Sequence, residues 1–144
     1  MNPRIYLAGT ISEDERTFQW RKDATALLEM YSIEAIDPMR NVDLGSLANE
    51  GLCANIPQET YFARDLSDIS RCCAMIVNLL YADSINRPSI GTYFEIGYAY
   101  AYGIPVVVIS DDPSTISHPF IRLPAMGIVE TLEEAIDLIV FYLS

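Results

Sequence analysis

Two acidic residues, Asp65 and Glu95, are the first candidates for chemistry in this sequence. An acidic residue early in a helix is more often a partner of the helix dipole than a catalyst. Glu95 departs from that pattern because Tyr93, Phe94 and Ile96 flank it. Its carboxyl group is therefore predicted to lie in an apolar setting, where its pKa is raised or specific donors hold it.

The segment before Glu95, RPSIGT at residues 87–92, contains groups that could hold a ligand anion. Backbone N–H groups at the start of a helix and the hydroxyl groups of Ser89 and Thr92 are suitable donors. The same hydroxyl groups could simply cap the helix, and the sequence leaves both roles open.

The remaining candidate side chains give weaker signals. Arg40 and Arg87 lie on predicted loops and could contact a phosphate or stack on a base, although each alone is typical of a surface residue. His118 is the only histidine and has no partner motif, so it is interpreted as a loop residue. The cysteines lack a CxxC pair and companion histidines, which predicts reduced, mostly buried thiols and no metal site. They are Cys53, Cys72 and Cys73.

The composition indicates a single globular domain. A chain of 144 residues with 51% hydrophobic residues can bury a core without disulfides or metals, so residues 1–144 are predicted to form one domain. The formal net charge of −11 argues against a nucleic acid polymer as partner, because such binding needs a basic surface. The apolar stretches are too short to span a bilayer, and the N-terminus lacks a signal-peptide pattern. A cytoplasmic protein without a membrane partner is expected.

Short apolar segments alternate with helical patterns along the chain. The predicted strands are residues 4–8, 33–36, 74–80, 105–109 and 127–129. The predicted helices are residues 18–30, 58–71 and 91–102, and a last helix that begins at the capping box 131–134. Strands that are apolar throughout belong in a parallel sheet covered on both faces. The expected fold is a flavodoxin-like or Rossmann-like doubly wound α/β sheet of about five parallel strands, in three αβα layers.

The carboxyl edge of such a sheet is where ligands bind. The loops predicted to meet there are residues 9–13, 37–57, 81–91 and 110–119. The long stretch 39–57 shows no clear periodicity, so it is expected to cover a site. Any chemistry is therefore expected at this edge.

Five motifs occur in order along most of the chain. They are IYLAG at residues 5–9, RDLSDI at 64–69, AMIVN at 74–78, GTYFEIGYA at 91–99 and GIPVV at 103–107. This series resembles the nucleoside 2-deoxyribosyltransferase family, together with the related deoxynucleoside 5′-monophosphate N-glycosidases. The combination of a tyrosine near the N-terminus, an Asp-Leu pair and GTxxEIGYA is far more specific than any single motif.

The resemblance implies an enzyme that breaks N-glycosidic bonds through a covalent intermediate. It assigns the nucleophile to Glu95, the acid–base contact with the leaving base or the sugar to Asp65, and the orientation of Glu95 to Tyr6. Otherwise Asp65 would be a solvated helix residue and Tyr6 an ordinary strand aromatic. The substrates would be a nucleoside or nucleotide and a nucleobase, with no cofactor. The expected substrate-binding residues are Gly9, Arg40, Asn78, Arg87, Ser89, Gly91 and Thr92.

One departure from the family pattern concerns the substrate. Members that act on free nucleosides commonly carry an aspartate six residues before the glutamate, where it binds the sugar 5′-hydroxyl, but this chain has Ser89. A serine beside helix-terminal N–H groups would accept a 5′-phosphate that a carboxylate would repel. Transfer to an acceptor base is the first hypothesis, and hydrolysis of a deoxynucleoside 5′-monophosphate is the alternative. Asp83 could replace the missing acid, so the sequence leaves this choice open.

Four tyrosines on one predicted helix exceed what the core of a monomer needs. They are Tyr93, Tyr98, Tyr100 and Tyr102. A homo-oligomer is therefore expected, and the resemblance implies that neighbouring subunits help to complete the site.

A competing hypothesis is a nucleotide-binding sensor that keeps the fold and pocket without turnover, because fold does not establish function. The joint presence of Tyr6, Asp65 and Glu95 favours the enzyme, since a binding module does not need a buried nucleophile.

Overall fold

The computed structural model describes residues 1–42, 56–82 and 89–144. The strands are β1 (Arg4–Gly9), β2 (Glu34–Ile36), β3 (Ala74–Asn78), β4 (Val106–Ile109) and β5 (Ala125–Val129). They form one parallel sheet in the order β2-β1-β3-β4-β5. The strand order reverses between β1 and β3, which is the doubly wound arrangement of flavodoxin-like proteins. The predicted five-stranded parallel α/β fold is confirmed.

The long helices also agree with the prediction. The helices among the described residues are α1 (Arg16–Glu29), α2 (Gln58–Ser70), α3 (Ile90–Ala101), α4 (Pro113–Ser117), α5 (Pro119–Arg122) and α6 (Leu132–Leu143). Helix α6 begins at the predicted capping box, where the Thr131 hydroxyl accepts a hydrogen bond from the Glu134 N–H. None of the described helices combines the length and the apolar character that crossing a bilayer requires.

The prediction of a loop at residues 110–119 is wrong in part, because two short helices begin there. Each starts with a proline, whose fixed φ suits the first turn of a helix. The Asp112 carboxylate caps α4 by accepting a hydrogen bond from the Thr115 N–H. His118 Nδ1 caps α5 by accepting from the Phe120 N–H. The histidine therefore has a structural role at a helix start.

The two faces of the sheet bury separate apolar clusters, because side chains alternate along each strand. Ile5 and Leu7 pack with residues of α1 and α6. Tyr6 and Ala8 pack on the other face with residues of α2 and α3. Full burial of an isoleucine or leucine contributes about 1.5–3 kcal/mol, so these clusters hold the layers together. The same alternation directs Tyr6 toward the helices that carry Asp65 and Glu95.

The cysteines differ from the expectation in one respect. Cys72 is buried, but Cys73 is exposed because it lies in the bend that leads into β3. Both are free thiols. Cys53 lies outside the described residues.

Candidate active site

Strand β1 and helices α2 and α3 bring the three catalytic candidates together. Tyr6 lies fully buried in β1, Asp65 lies on α2 and Glu95 lies on the second turn of α3. Burial raises the pKa of the Tyr6 hydroxyl, and the nearby carboxylates of Glu95 and Asp65 raise it further. The sheet thus gathers residues that are far apart in the sequence, while their chemical roles stay predictions.

Glu95 occupies an apolar, largely buried environment. Burial is the main cause that raises the pKa of its carboxyl group, to about 7. The Tyr6 hydroxyl lowers this pKa, the charge of Asp65 raises it, and the charge of Arg21 lowers it. Glu95 Oε2 is buried and has no hydrogen-bond partner among the described residues. A buried carboxylate oxygen without a hydrogen bond lowers the stability of the fold.

Tyr6 and Glu95 approach each other without a well-formed hydrogen bond. The tyrosine hydroxyl is near enough to lower the pKa of the carboxyl group. Tyr6 Oη is nevertheless buried without a hydrogen-bond partner among the described residues. A hydrogen bond needs both a short distance and a favourable angle, and this pair lacks at least one of them. Catalytic hydrogen bonds often tighten only when substrate binds, so a small movement would let Tyr6 orient the carboxylate.

Asp65 is more accessible than Glu95 and is suited to proton exchange. Its side chain is 28% exposed, and Oδ1 lies 3.4 Å from Arg64 Nη2. Burial raises the pKa of this carboxyl group, Arg64 and Arg40 lower it, and Asp68 raises it. A carboxyl group with a raised pKa that still reaches the surface can give and take protons, as a departing base requires.

Arg40 lies near Asp65 but is engaged by other groups. Its Nη2 donates to Asp68 Oδ2 at 2.5 Å, and its Nη1 donates to the Asp37 carbonyl at 3.1 Å. Asp68 is buried and also accepts a hydrogen bond from Arg71. A contact between Arg40 and a substrate phosphate or base would have to compete with these bonds, so that contact stays a prediction.

Gly9 and Asn78 have structural roles on neighbouring strands. A Cβ atom at Gly9 would lie 2.7 Å from the Asn78 carbonyl oxygen, so only glycine fits there between β1 and β3. The Asn78 side chain accepts a hydrogen bond from the Leu80 N–H at 2.9 Å. It lines a separate cavity with Trp20, on the α1 side of the sheet. The structure does not bring this side chain to the Glu95 cluster.

The start of α3 is not capped by a side chain. Ser89 occupies the N-cap position, but its hydroxyl donates to Thr92 Oγ1 at 2.7 Å instead of accepting from a backbone N–H. Gly91 is exposed, with no atom within 4 Å of the point where a Cβ would stand. An anion at this helix start remains a prediction. Arg87 and Asp83 lie outside the described residues.

Sequence reasoning missed Arg21 and Thr10. The Arg21 side chain is only 1% exposed, and it donates to the Gly9 carbonyl at 3.0 Å and to the Thr17 carbonyl. Its Nε lies 3.6 Å from Asp37 Oδ1 and makes no hydrogen bond to a described residue. The Thr10 hydroxyl, just after β1, is likewise buried without such a partner. In the sequence Arg21 opens the polar run RKD, which is typical of a solvent-facing helix, so no pattern marked it.

An apolar cavity of about 800 Å³ lies beside α3, away from the carboxyl groups. Tyr93, Gly97 and Tyr100 line it together with residues of α4 and α5. Their spacing places them on one face of α3, and Glu95 projects from the opposite face. We assign the candidate site to the Glu95 cluster because the buried, unpartnered polar atoms gather there. Within residues 1–42, 56–82 and 89–144, no group of three or more His, Cys, Asp or Glu side chains could hold a metal ion.

The doubly wound sheet and its buried carboxylate cluster place this protein in the class of flavodoxin-like α/β proteins with an enzyme-like site. More specifically, the chain belongs to the nucleoside 2-deoxyribosyltransferase family, whose model matches residues 5–138. The resemblance inferred from the five motifs is therefore confirmed.

Solved structures with the same fold include enzymes of this type. The 2-deoxyribosyltransferase from Leishmania mexicana is 18% identical, with a TM-score of 0.73 over 96% of this chain and 97% of that one. The enzyme from Bacillus psychrosaccharolyticus is 20% identical, with a TM-score of 0.69 over 93% and 90%. The CMP N-glycosidase BcmB from Clostridium botulinum is 17% identical, with a TM-score of 0.62 over 96% and 99%. No curated protein sequence gave a significant match. Family membership supports an activity of the nucleoside deoxyribosyltransferase type, and the solved structures support the fold.

Proposed function

We propose that this protein cleaves the N-glycosidic bond of a 2′-deoxynucleoside or its 5′-monophosphate and transfers the deoxyribosyl group to an acceptor base. Glu95 is the nucleophile. The observation that carries the proposal is the buried Glu95 Oε2, which has no partner among the described residues and lies near the equally unpartnered Tyr6 hydroxyl. Such an oxygen is ready to form a bond to the anomeric carbon.

The first step forms a glycosyl-enzyme. A Glu95 carboxylate oxygen bonds to C1′ of the sugar while the bond from C1′ to the base nitrogen breaks, and its electron pair moves to the base. Asp65, in its protonated form, donates a proton to the base as it departs. Tyr6 holds the carboxylate in line for the attack.

The second step releases the sugar. A ring nitrogen of the acceptor base attacks C1′, the ester bond to Glu95 breaks, and Asp65 takes up the proton that the acceptor loses. If water enters in place of the base, the same step yields the free sugar. The choice between transfer and hydrolysis therefore depends on whether the pocket keeps a second base in place and water out.

Burial raises the pKa of both carboxyl groups in the free protein, whereas the proposed roles need Glu95 ionised and Asp65 protonated. Glu95 must be ionised to attack, and the Tyr6 hydroxyl and Arg21 lower the pKa that burial has raised to about 7. Asp65 must carry a proton in the first step, and burial raises the pKa of its carboxyl group in that direction. Opposite roles for two carboxyl groups are common where their surroundings differ.

Hydrolysis of a deoxynucleoside 5′-monophosphate is the second candidate, and Ser89 favours it. The serine side chain does not cap α3, so the N–H groups at this helix start are left for another acceptor such as a phosphate. A Ser89→Asp variant would place a carboxylate there and is expected to raise the KM for monophosphates about tenfold, with little change for nucleosides. Equal KM values for a monophosphate in both proteins would exclude a phosphate beside residue 89.

We also propose that the chain acts as one domain in a homo-oligomer. Helix α3 and its C-cap expose Tyr93, Phe94, Tyr100 and Tyr102, and exposed aromatic side chains are enriched in subunit interfaces. A second copy of the chain would bury this surface. Light scattering during size-exclusion chromatography would give the mass of the particle, and a mass of 16 kDa would contradict the proposal.

The activity is tested by incubating the protein with deoxynucleosides and deoxynucleoside 5′-monophosphates, with and without a free base. Chromatography separates exchanged base, which indicates transfer, from released base and sugar, which indicate hydrolysis. Glu95→Ala should abolish both products, and Glu59→Ala, which removes an exposed glutamate of α2, is the matched control. Nucleotide binding without turnover in the unmodified protein would support the sensor hypothesis instead.

A further inference from the structure

A second cavity, of about 540 Å³, lies at the carboxyl edge of the sheet, between α1, the residues after β3 and the start of α6. Trp20, Asn78 and Tyr81 are among the residues that line it. The Asn78 side chain is on this face because side chains alternate along a strand, and Ile76, two residues earlier, packs with α1 and α6. Tyr6 packs on the opposite face. The cavity is therefore separate from the Glu95 cluster, and it has the size and the location of a small-molecule site.

The side-chain amide of Asn78 is only partly used by the fold. Asn78 is 3% exposed, and its Oδ1 accepts a hydrogen bond from the Leu80 N–H at 2.9 Å. An amide nitrogen carries two N–H donors, but Asn78 Nδ2 donates to no described residue. Buried polar side chains in native proteins nearly always have partners for their donors. An acceptor atom of a ligand in the cavity would supply the missing hydrogen bond.

The rim of the cavity is acidic. Asp23, Glu130 and Glu133 line it from exposed positions, and its described lining residues include no lysine, arginine or histidine. Carboxylates only accept hydrogen bonds when ionised, and their charge repels a phosphate. A ligand that suits this rim therefore carries N–H donors and no anionic group.

The walls of the cavity favour a flat, uncharged ligand. Trp20 and Tyr81 line it together with leucine side chains. Arg21 lies over the Trp20 ring at 4.8 Å from its centroid, and Arg16 lies over the Tyr81 ring at 4.9 Å. Because each ring already has a guanidinium group at one face, a further cation is less favoured there than an uncharged ring that packs against them.

We propose that this cavity is a second binding site, which takes an uncharged, amino-substituted nitrogen heterocycle of nucleobase size. A ring nitrogen of the ligand accepts a hydrogen bond from Asn78 Nδ2, and its amino group donates to the carboxylates of the rim. The ring packs against Trp20 and Tyr81. The site lies on the other face of the sheet from Glu95, so the inference does not depend on the proposed function.

Trp20 provides a direct test, because it is the only tryptophan of the chain. Its indole N–H gives a single signal in ¹H–¹⁵N NMR spectra. Titration with adenine, which has ring-nitrogen acceptors and an amino group, should move this signal in a saturable way. Purine, which lacks the amino group, should bind about tenfold more weakly, and adenosine 5′-monophosphate should also bind more weakly than adenine. The absence of a saturable shift with adenine, or equal Kd values for adenine and purine, would overturn the inference.

Two variants locate the ligand. Asn78→Asp keeps an oxygen for the Leu80 N–H but removes the amide donor, so the Kd for adenine should rise about tenfold. Ala26→Phe places a ring in the cavity from an exposed position on α1 and should abolish the shift, even if Asn78→Asp does not fold. Ala101→Phe, the same substitution at an exposed alanine of α3 outside this cavity, is the matched control and should leave the Kd unchanged.

Glu95→Gln separates the two sites. This variant changes the Glu95 cluster and should leave the effect of adenine on the Trp20 signal unchanged. A shift that is lost in Glu95→Gln and kept in Ala26→Phe would place adenine at the Glu95 cluster and would contradict the inference. The titration needs no turnover, so its result is independent of whether the protein cleaves a nucleoside.

Discussion

The two ends of strand β1 hold arginines in opposite situations. At the amino end, Arg4 Nε donates to Glu34 Oε2 at 2.9 Å, and the two side chains are 35% and 48% exposed. At the carboxyl end, Arg21 is buried against the Gly9 carbonyl, and its Nε lies 3.6 Å from Asp37 Oδ1 without a hydrogen bond to a described residue. The first arrangement is an ordinary surface ion pair, and the second is a charge held inside the protein.

The difference shows where the fold tolerates unfavourable contacts. A surface ion pair contributes about 0–1 kcal/mol to the free energy of unfolding. The ion pair at the amino end of β1 therefore changes stability very little. A buried polar atom without a partner costs about 1–3 kcal/mol. The buried atoms without a hydrogen bond to a described residue include Tyr6 Oη in β1, Thr10 Oγ1 just after it, Arg21 Nε and Glu95 Oε2. Stability is therefore lowered at the edge of the sheet where doubly wound proteins bind ligands.

The largest effect is expected for the nucleophile. Glu95→Gln keeps the shape of the side chain but cannot form the ester, so kcat/KM should fall by about 10⁴-fold or more. Base release measured by chromatography checks this. A variant that retains a tenth of the activity would show that Glu95 is not the nucleophile.

Asp65→Asn should have a smaller effect on the rate, because it removes proton transfer and leaves the nucleophile in place. A loss of about 10²–10⁴-fold is typical of a general acid. The loss should be smallest for a substrate whose base departs easily without a proton. Steady-state kinetics with bases of different leaving ability measure this trend, and an equal loss for all bases would argue against Asp65 as the acid.

Glu95→Gln should at the same time stabilise the fold in a pH-dependent way. The pKa of Glu95 is raised from 4.5 to about 7 in the folded protein. Above pH 7 the ionised carboxylate therefore lowers the free energy of unfolding, and below pH 4.5 this destabilisation is absent. The variant should gain about 3 kcal/mol in the free energy of unfolding at pH 8 and very little at pH 4. Urea denaturation at both pH values tests this, and an equal gain at both would be inconsistent with a raised pKa.

Tyr6→Phe removes a buried hydroxyl that has no partner among the described residues. We expect the free energy of unfolding to rise by about 1 kcal/mol, because an apolar edge replaces an unsatisfied polar atom. The rate should fall in the same variant, since the carboxylate loses its orienting donor. A destabilised Tyr6→Phe protein would show that the hydroxyl is satisfied in solution.

Arg4→Met should have the smallest effect on stability and activity. It tests the amino end of β1, in contrast to the variants near the carboxyl end. The loss of an exposed ion pair should change the free energy of unfolding by less than about 0.5 kcal/mol. Activity should stay at the level of the unmodified protein. A clear loss of activity would mean that the two ends of β1 are not as independent as the structure indicates.

The sequence predicted the fold correctly, and the roles of its candidate catalytic residues stay predictions. The apolar strands and the helical spacing predicted the parallel sheet, and the motif order pointed to Tyr6, Asp65 and Glu95, which the structure brings together. The helices α4 and α5 were missed because a proline-rich, polar segment has the composition of a loop. Asn78 was expected in the site, but strand alternation turns its side chain to the α1 face.

Family membership and fold class follow from the sequence alone. They depend on local hydrophobic patterns and on short motifs, and both can be read along the chain without knowledge of the tertiary structure. The neighbours of each charged group were decided only by the tertiary structure. Arg21 looks solvent-facing in its helix, and it becomes buried because the Gly9 carbonyl and Asp37 approach it from other elements. Electrostatic interactions depend on distance and burial, and neither quantity is encoded in the spacing of residues along the chain.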